Sequence, residues 1–374
     1  MRSCASILSL LLGTALASGQ TASGDDVLHR AAAAYDAGDM ATAIRCYREF
    51  LAAHPDAAEI RSNLGAALVR DGQFDTAITE YQSALRQLPD NPRVRMNLAL
   101  AYYKVGRMPE AARELETLHE RQPLELKPAL LLADCDLQMG RAAQAVDLLT
   151  PLAEEYPDDH AVVYMLGTAL LKADRTHEAQ AMLDRILRDG ESAESAYLLG
   201  QTEFLRQNIV PAAGHLARAV ELNPQLPGAH SLYGQVLRGL GKMDEATAQF
   251  RAELNVNPYD FVANTEIAML LKQDGKFDDA LAHVARALQV RAGDPGALYQ
   301  RASIHLAQGN LEQARGELED LVQRFPSFAE AHAALATVYY RLKRPADGDR
   351  ERAAAQRAQQ ETARKLEESR GKQR

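Results

Sequence analysis

The amino-acid sequence predicts an all-α stack of paired helices, on three observations. Of the 374 residues, 47% are hydrophobic, Gly and Pro are modest at 23 and 15, and Trp is absent. Much of that apolar fraction is alanine, the strongest helix former, so the composition is that of a helical protein with ample core. The second observation is a period. An Ala followed four residues later by a large apolar or aromatic residue recurs at Ala43, Ala77, Ala111, Ala145, Ala179, Ala212, Ala246, Ala280 and Ala314, in steps of 34 residues with one step of 33. The third is a column of small residues in the same register, Ala31, Gly65, Ala99, Ala133, Gly167, Gly200, Gly234, Ala268, Ala302 and Ala336. Only helices packed with their backbones close together require Ala or Gly at one position of every unit.

The elements follow in chain order. Residues 1–17 carry Arg2, an apolar run from Ile7 to Leu16 and the small-x-small pattern Ala15-Leu16-Ala17. They read as a secretory signal peptide, too short in its apolar run to span a bilayer, with residues 18–23 as a linker. The chain is therefore expected to be exported, to the periplasm or the exterior, without membrane insertion once the leader is cleaved. Units follow near 24–57, 58–91, 92–125, 126–159, 160–192, 193–226, 227–260, 261–294 and 295–328, with a tenth beginning at 329–344. Each unit holds two helices. In the second, Ile60, Leu64 and Leu68 make one apolar stripe, and Phe74, Ala77, Ile78, Tyr81, Ala84 and Leu85 make another. Between them stands Gly72, as Gly38, Gly106, Gly140, Gly241, Gly275 and Gly309 stand in other units, where a left-handed helix end favours glycine. Asn91-Pro92 and Asp294-Pro295 supply a capping side chain and a first-turn proline. The fifth unit, ending near LRDGESAES, lacks one residue, which is expected to shorten its connecting loop and alter the twist. From Pro345 a helix is expected to continue into a charged tail at 345–374, polar on most sides.

This pattern resembles the tetratricopeptide repeat family, over residues 24–344. The resemblance implies a right-handed superhelical solenoid in which each repeat contacts its neighbours and the first helices line a concave groove. Two departures stand out. The frequent Trp near the start of each unit is replaced by residues such as Arg61, Val163 and Leu298, and the closing Pro is missing at Glu191 and Ala292. In that frame Cys46 and Cys135 lie several helix layers apart, which rules out a bridge between them and makes both small core residues.

Chemistry is sparse. The net charge of −9 argues against nucleic acid, which needs a concentrated basic patch. Histidines are scattered singly, no HExxH, CxxC or GxSxG occurs, and Asp158 to His160 reads as a capping turn rather than a metal site. No cofactor and no catalytic residue is expected. The resemblance implies two groove chemistries that the residues do not match. The carboxylate clamp fails because Leu28 and Ala32 stand at two of its places. The asparagine ladder fails because Asn63 and Asn97 are followed by Leu131, Met165, Leu198 and Leu232. Projecting the family's groove positions gives Tyr35, Tyr103, Tyr164, Tyr197, Phe204, Tyr299 and Tyr340, with Met96 and Met269, and Arg93, Lys104, Lys127, Lys172 and Arg238 among the charged neighbours. The expected partner site lies mid-array, on Tyr103, Lys104, Tyr164, Leu171, Lys172, Tyr197, Phe204 and Arg238. The leading reading is a non-enzymatic adaptor that holds a protein or peptide there. A carbohydrate or cell-wall module, or an accessory subunit of an envelope enzyme complex, is the alternative.

Overall fold

The structure, a computed structural model, describes residues 24–188 and 190–372. The expected leader and linker, at 1–17 and 18–23, lie outside the described residues. Among the described residues every regular element is a helix. The chain divides into two compact units, Met1–Asp90 and Asn91–Arg374.

The first unit holds α1 (Gly24–Asp36), α2 (Met40–Ala53), α3 (Ala58–Arg70) and α4 (Phe74–Gln87). The second holds α5 (Pro92–Lys104), α6 (Met108–Arg121), α7 (Leu126–Gln138), α8 (Ala142–Glu155), α9 (His160–Lys172) and α10 (Thr176–Leu187). It continues with α11 (Ala193–Leu205), α12 (Ile209–Leu222), α13 (Ala229–Gly239), α14 (Met243–Val256), α15 (Phe261–Gln273) and α16 (Phe277–Val290). It ends with α17 (Pro295–Gln308), α18 (Leu311–Arg324), α19 (Ala329–Arg341) and α20 (Pro345–Lys372). Within each unit, consecutive helices pack against each other.

The small column has the steric cause its periodicity implied. A Cβ built on Gly65 would meet the Tyr81 ring at 2.7 Å, and one on Gly234 would meet Phe250 at 2.6 Å. The bulky residue sixteen positions on therefore fills the space glycine leaves. The helix–helix turns are equally regular. Gly38, Gly72, Gly106, Gly140, Gly241, Gly275 and Gly309 all have positive φ, and Asp174, Gln207 and Lys343 take the same conformation in the three remaining turns at φ 59°, 63° and 59°. Caps close the other ends. Asn91, Asp159, Asp260 and Asp294 accept from the amides of Val94, Val162, Ala263 and Ala297.

In four units a polar bridge stands at the place of the missing Trp. Arg61 donates to the Pro55 carbonyl, six residues back, and to Glu80 Oε2, nineteen residues on. Asn264 likewise donates to the Pro258 carbonyl and meets His283. His230 joins Pro224 and Gln249, and His332 joins Pro326 and Glu351. One side chain thus ties the inter-repeat turn to the second helix, the work a buried ring does by packing.

One expectation about the backbone is corrected. The lost residue does not shorten the connection after the fifth unit. The helix α10 is shorter instead, at 12 residues where α8 has 14. The link from α10 to α11 covers 188–192, against 156–159 between α8 and α9. The reason is local. Without the closing proline the chain relies on Gly190 at φ 102° and on a capping box between Ser192 and Ser195, and these need room. Cys46 and Cys135 are both free and buried. No described helix is long and apolar enough to cross a membrane.

The second unit closes on itself. The Gln289 amide donates to the Val105 carbonyl at 2.5 Å, and Arg291 Nε donates to the Gln138 carbonyl at 2.6 Å. Asn257 Nδ2 reaches Gln138 Oε1 at 3.3 Å. Tyr259 lies against Gly106 so closely that a Cβ there would stand 2.3 Å from its ring. Turns near 105 and 139 are thereby bonded to turns near 258 and 290.

Candidate functional site

The closure turns the middle of the concave face into a cavity of about 600 Å³. One side comes from α5, α7 and α9, whose first-helix positions face inward: Tyr103, Leu130, Leu131, Asp134, Tyr164, Met165, Thr168 and Lys172. The other side is built by inter-repeat segments, with Pro227, Gly228, Asn257, Asp260, Phe261, Val262 and Arg291. A second hollow of about 370 Å³ continues along α15 and α17, lined by Met269, Lys272 and Tyr299 among others.

Polar groups in the main cavity fall into two sets. The first is internally satisfied. Tyr103 donates to Asp134 Oδ2 at 2.5 Å, and Gln138 Nε2 donates to the same oxygen at 2.6 Å. Burial pushes the Asp134 carboxyl up against the pull of those two donors and of Lys172. Burial also pushes the Tyr103 and Tyr164 phenols up. Asp260 Oδ1 accepts from Ser231 Oγ at 2.6 Å and from the Ala263 amide at 2.7 Å. The second set is cationic. The Lys172 ammonium makes no hydrogen bond or ion pair among the described residues. Its side chain is exposed where it lines the cavity, with protein packed around it. Burial and then the Arg291 charge pull its pKa down, and Asp260 and Asp134 oppose them. Arg291 lies over the Phe261 ring at 4.2 Å and spends only Nε on Gln138, and burial lowers its pKa too.

The eight expected site residues divide evenly. Tyr103, Tyr164, Lys172 and Tyr197 line the cavity. The other four do not. Leu171 is 2% exposed and belongs to the core, because it points away from Lys172 on the next helical position. Phe204 packs against that same core. Lys104 is exposed, and Arg238 pairs with Glu266 at 3.2 Å. Tyr164 and Tyr197 meet edge to face with centroids 6.1 Å apart, and Tyr197 is only 4% exposed. Its ring therefore offers no open face on which a sugar could stack. Asp134, Gln138, Asn257, Asp260, Phe261 and Arg291 were absent from the expected site. The last four lie in or beside inter-repeat turns, which a first-helix projection omits.

Two tetratricopeptide repeat profiles match the sequence, one over residues 28–92 and the other over 68–135, 106–166, 136–201 and 271–338. The chain belongs to the tetratricopeptide repeat family. A profile of subunit 3 of the anaphase-promoting complex, cyclosome, matches residues 175–252. Among curated relatives, the TPR repeat-containing thioredoxin TTL4 of Arabidopsis thaliana is 33% identical over 110 residues, 29% of this chain and 15% of that protein. The DnaJ homolog subfamily C member 3 of Homo sapiens is 24% identical over 193 residues, 47% of this chain and 38% of that protein. The match thus spans well under half of either relative. Among solved structures, the APC/C hetero-tetramer Cut9–Hcn1 superposes with a TM-score of 0.55 at 13% identity, over 90% of this chain and 88% of that one. That likeness is one of fold. Tetratricopeptide repeats act as protein-interaction scaffolds, and this chain is built as one.

Proposed function

We propose that the chain is a non-enzymatic adaptor of the cell envelope or the exterior, and that its cavity receives a short segment of a partner protein. The cavity carries the reading. Its volume of about 600 Å³ lies within the roughly 300–1,000 Å³ of pockets that enclose compact ligands. Apolar walls with a few convergent polar groups favour the anchoring of one or two side chains over the docking of a long helix. The leader pattern at residues 1–17 supports export.

Leu131 supplies the test, since it lines the cavity and is not part of the buried core. Leu131→Arg should abolish capture of the partner from an envelope extract while leaving the helical circular dichroism and melting temperature near those of the parent. Leu166→Ala, in the core at 4% exposure, should cost about 2–5 kcal/mol of stability yet leave binding per folded molecule unchanged. Undiminished capture by Leu131→Arg would refute the cavity as the site. Export is read separately, by fractionating cells that express the chain with and without residues 1–17.

A further inference from the structure

The charges of the cavity are unevenly satisfied, and the imbalance points to a ligand. Both lining carboxylates are engaged: Asp134 by Tyr103 and Gln138, and Asp260 by Ser231 and the Ala263 amide. The cations are not. Lys172 has no bonded partner, Arg291 uses one nitrogen, and Lys127 also faces the cavity. One helical turn before Lys172, Thr168 is 6% exposed, with its hydroxyl buried beside the Tyr164 phenol. Lys172 and Arg291, two like charges that repel each other while lining one cavity, favour a group of negative sign between them. Around it stand Leu130, Leu131, Met165, Phe261 and Val262.

Resting on the reading that the cavity takes a partner segment, we infer that this segment joins a carboxylate to an apolar side chain. The carboxylate lies between Lys172 and Arg291, and the side chain lies against the leucine and phenylalanine wall. A single charge fits better than a phosphate dianion, because Asp134 and Asp260 line the same space and repel added negative charge. The ammonium comes from α9 and the guanidinium from the residue after α16, so two separate elements of the cavity lining supply the cations for such a group. An aspartate or glutamate side chain and a free C-terminus both offer this chemistry.

The experiment uses the full chain and a random peptide library displayed in two forms, one with a free C-terminal carboxylate and one with the peptides held internally. Enriched peptides should carry a carboxylate within a few residues of Leu, Ile, Phe or Tyr. The form that enriches identifies its source. Replacing that carboxylate by the amide should weaken binding at least about tenfold, as loss of a charge-assisted hydrogen bond does. Lys172→Met should cause a similar loss and make the peptide's carboxylate and amide forms bind alike. Lys172→Arg should keep the discrimination. Because Lys172 holds no partner, Lys172→Met should not lower the melting temperature. Binders that lack a carboxylate, or prefer a phosphate, yet are blocked by Leu131→Arg would overturn this inference and leave the cavity reading standing. Binders indifferent to Leu131→Arg, or no enrichment at all, would overturn that reading itself.

Discussion

Gln207 occupies a turn position that seven of the ten units give to glycine, at φ 63°. An L-residue held in the left-handed region costs about 1–2 kcal/mol, while glycine loses about 0.4–1 kcal/mol through its freer unfolded chain. Its side chain is exposed and makes no hydrogen bond among the described residues, so nothing offsets the strain. Gln207→Gly should therefore stabilise the fold by about 0.5–1 kcal/mol in urea titration. Asp174→Gly should stabilise it less, since a short carboxylate tolerates this conformation better. A destabilised Gln207→Gly would show that the turn carries no such strain. At this scale much was legible. The glycines and the small column announce themselves by repetition. The polar bridges were visible too, as Pro55, Arg61 and Glu80 or Pro326, His332 and Glu351 at spacings of six and nineteen. They do not stand out as a repeat, because Arg, His and Asn share hydrogen-bonding capacity rather than shape.

Among the helices, α13 shows how an element borrows what it lacks. It has 11 residues, and its N-cap, Gly228, is left-handed and has no side chain to cap with. Glu253, on α14, does the capping. Its oxygens accept from the Gly228 amide at 2.9 Å and the Ser231 amide at 3.2 Å. Glu253 is fully buried, and burial with the nearby Asp260 pushes its carboxyl up to about 7. The sign follows from proton linkage. Between about 4.5 and 7 the folded chain binds a proton that the unfolded chain does not, so this group's contribution to stability falls as pH rises through that window. His283, whose pKa burial lowers, works in the opposite direction, so the difference between parent and variant is the quantity to read. Glu253→Gln cannot titrate, and denaturation at pH 5, 6 and 7 should show the parent losing stability relative to it. Parallel curves would mean that Glu253 keeps one charge state throughout. Helix existence was legible here from the 34-residue period, whereas the shortening of α10 was not. A missing residue says only that the register shifts; whether helix or link absorbs it depends on Gly190 and the Ser192–Ser195 box.

At the scale of the second unit, nearest-neighbour reasoning runs out. A solenoid read repeat by repeat has contacts only between adjacent repeats, and nothing in its period says where the superhelix returns to itself. That is why the sequence placed Tyr103, Tyr164 and Lys172 on the concave face but not the residues opposite them. Gly106 tests the closure, because two demands meet there. It has φ 74°, and the Tyr259 ring fills the space a Cβ would need. Gly241 is its matched control, at φ 77° with nothing within 4 Å. Alanine at either position carries the same backbone strain, on the order of 1 kcal/mol, and only Gly106→Ala also pushes Tyr259 away. Hydrogen exchange read by mass spectrometry separates the two effects. In Gly106→Ala, amides around 257–261 and 289–291 should exchange faster although they lie some 150 residues or more along the chain, while α19 and α20 should not change. Gly241→Ala should loosen only its own turn. If both variants perturb 257–291 alike, the bonds from Gln289 to Val105 and from Arg291 to Gln138 do not hold the superhelix shut, and the cavity is open at that side.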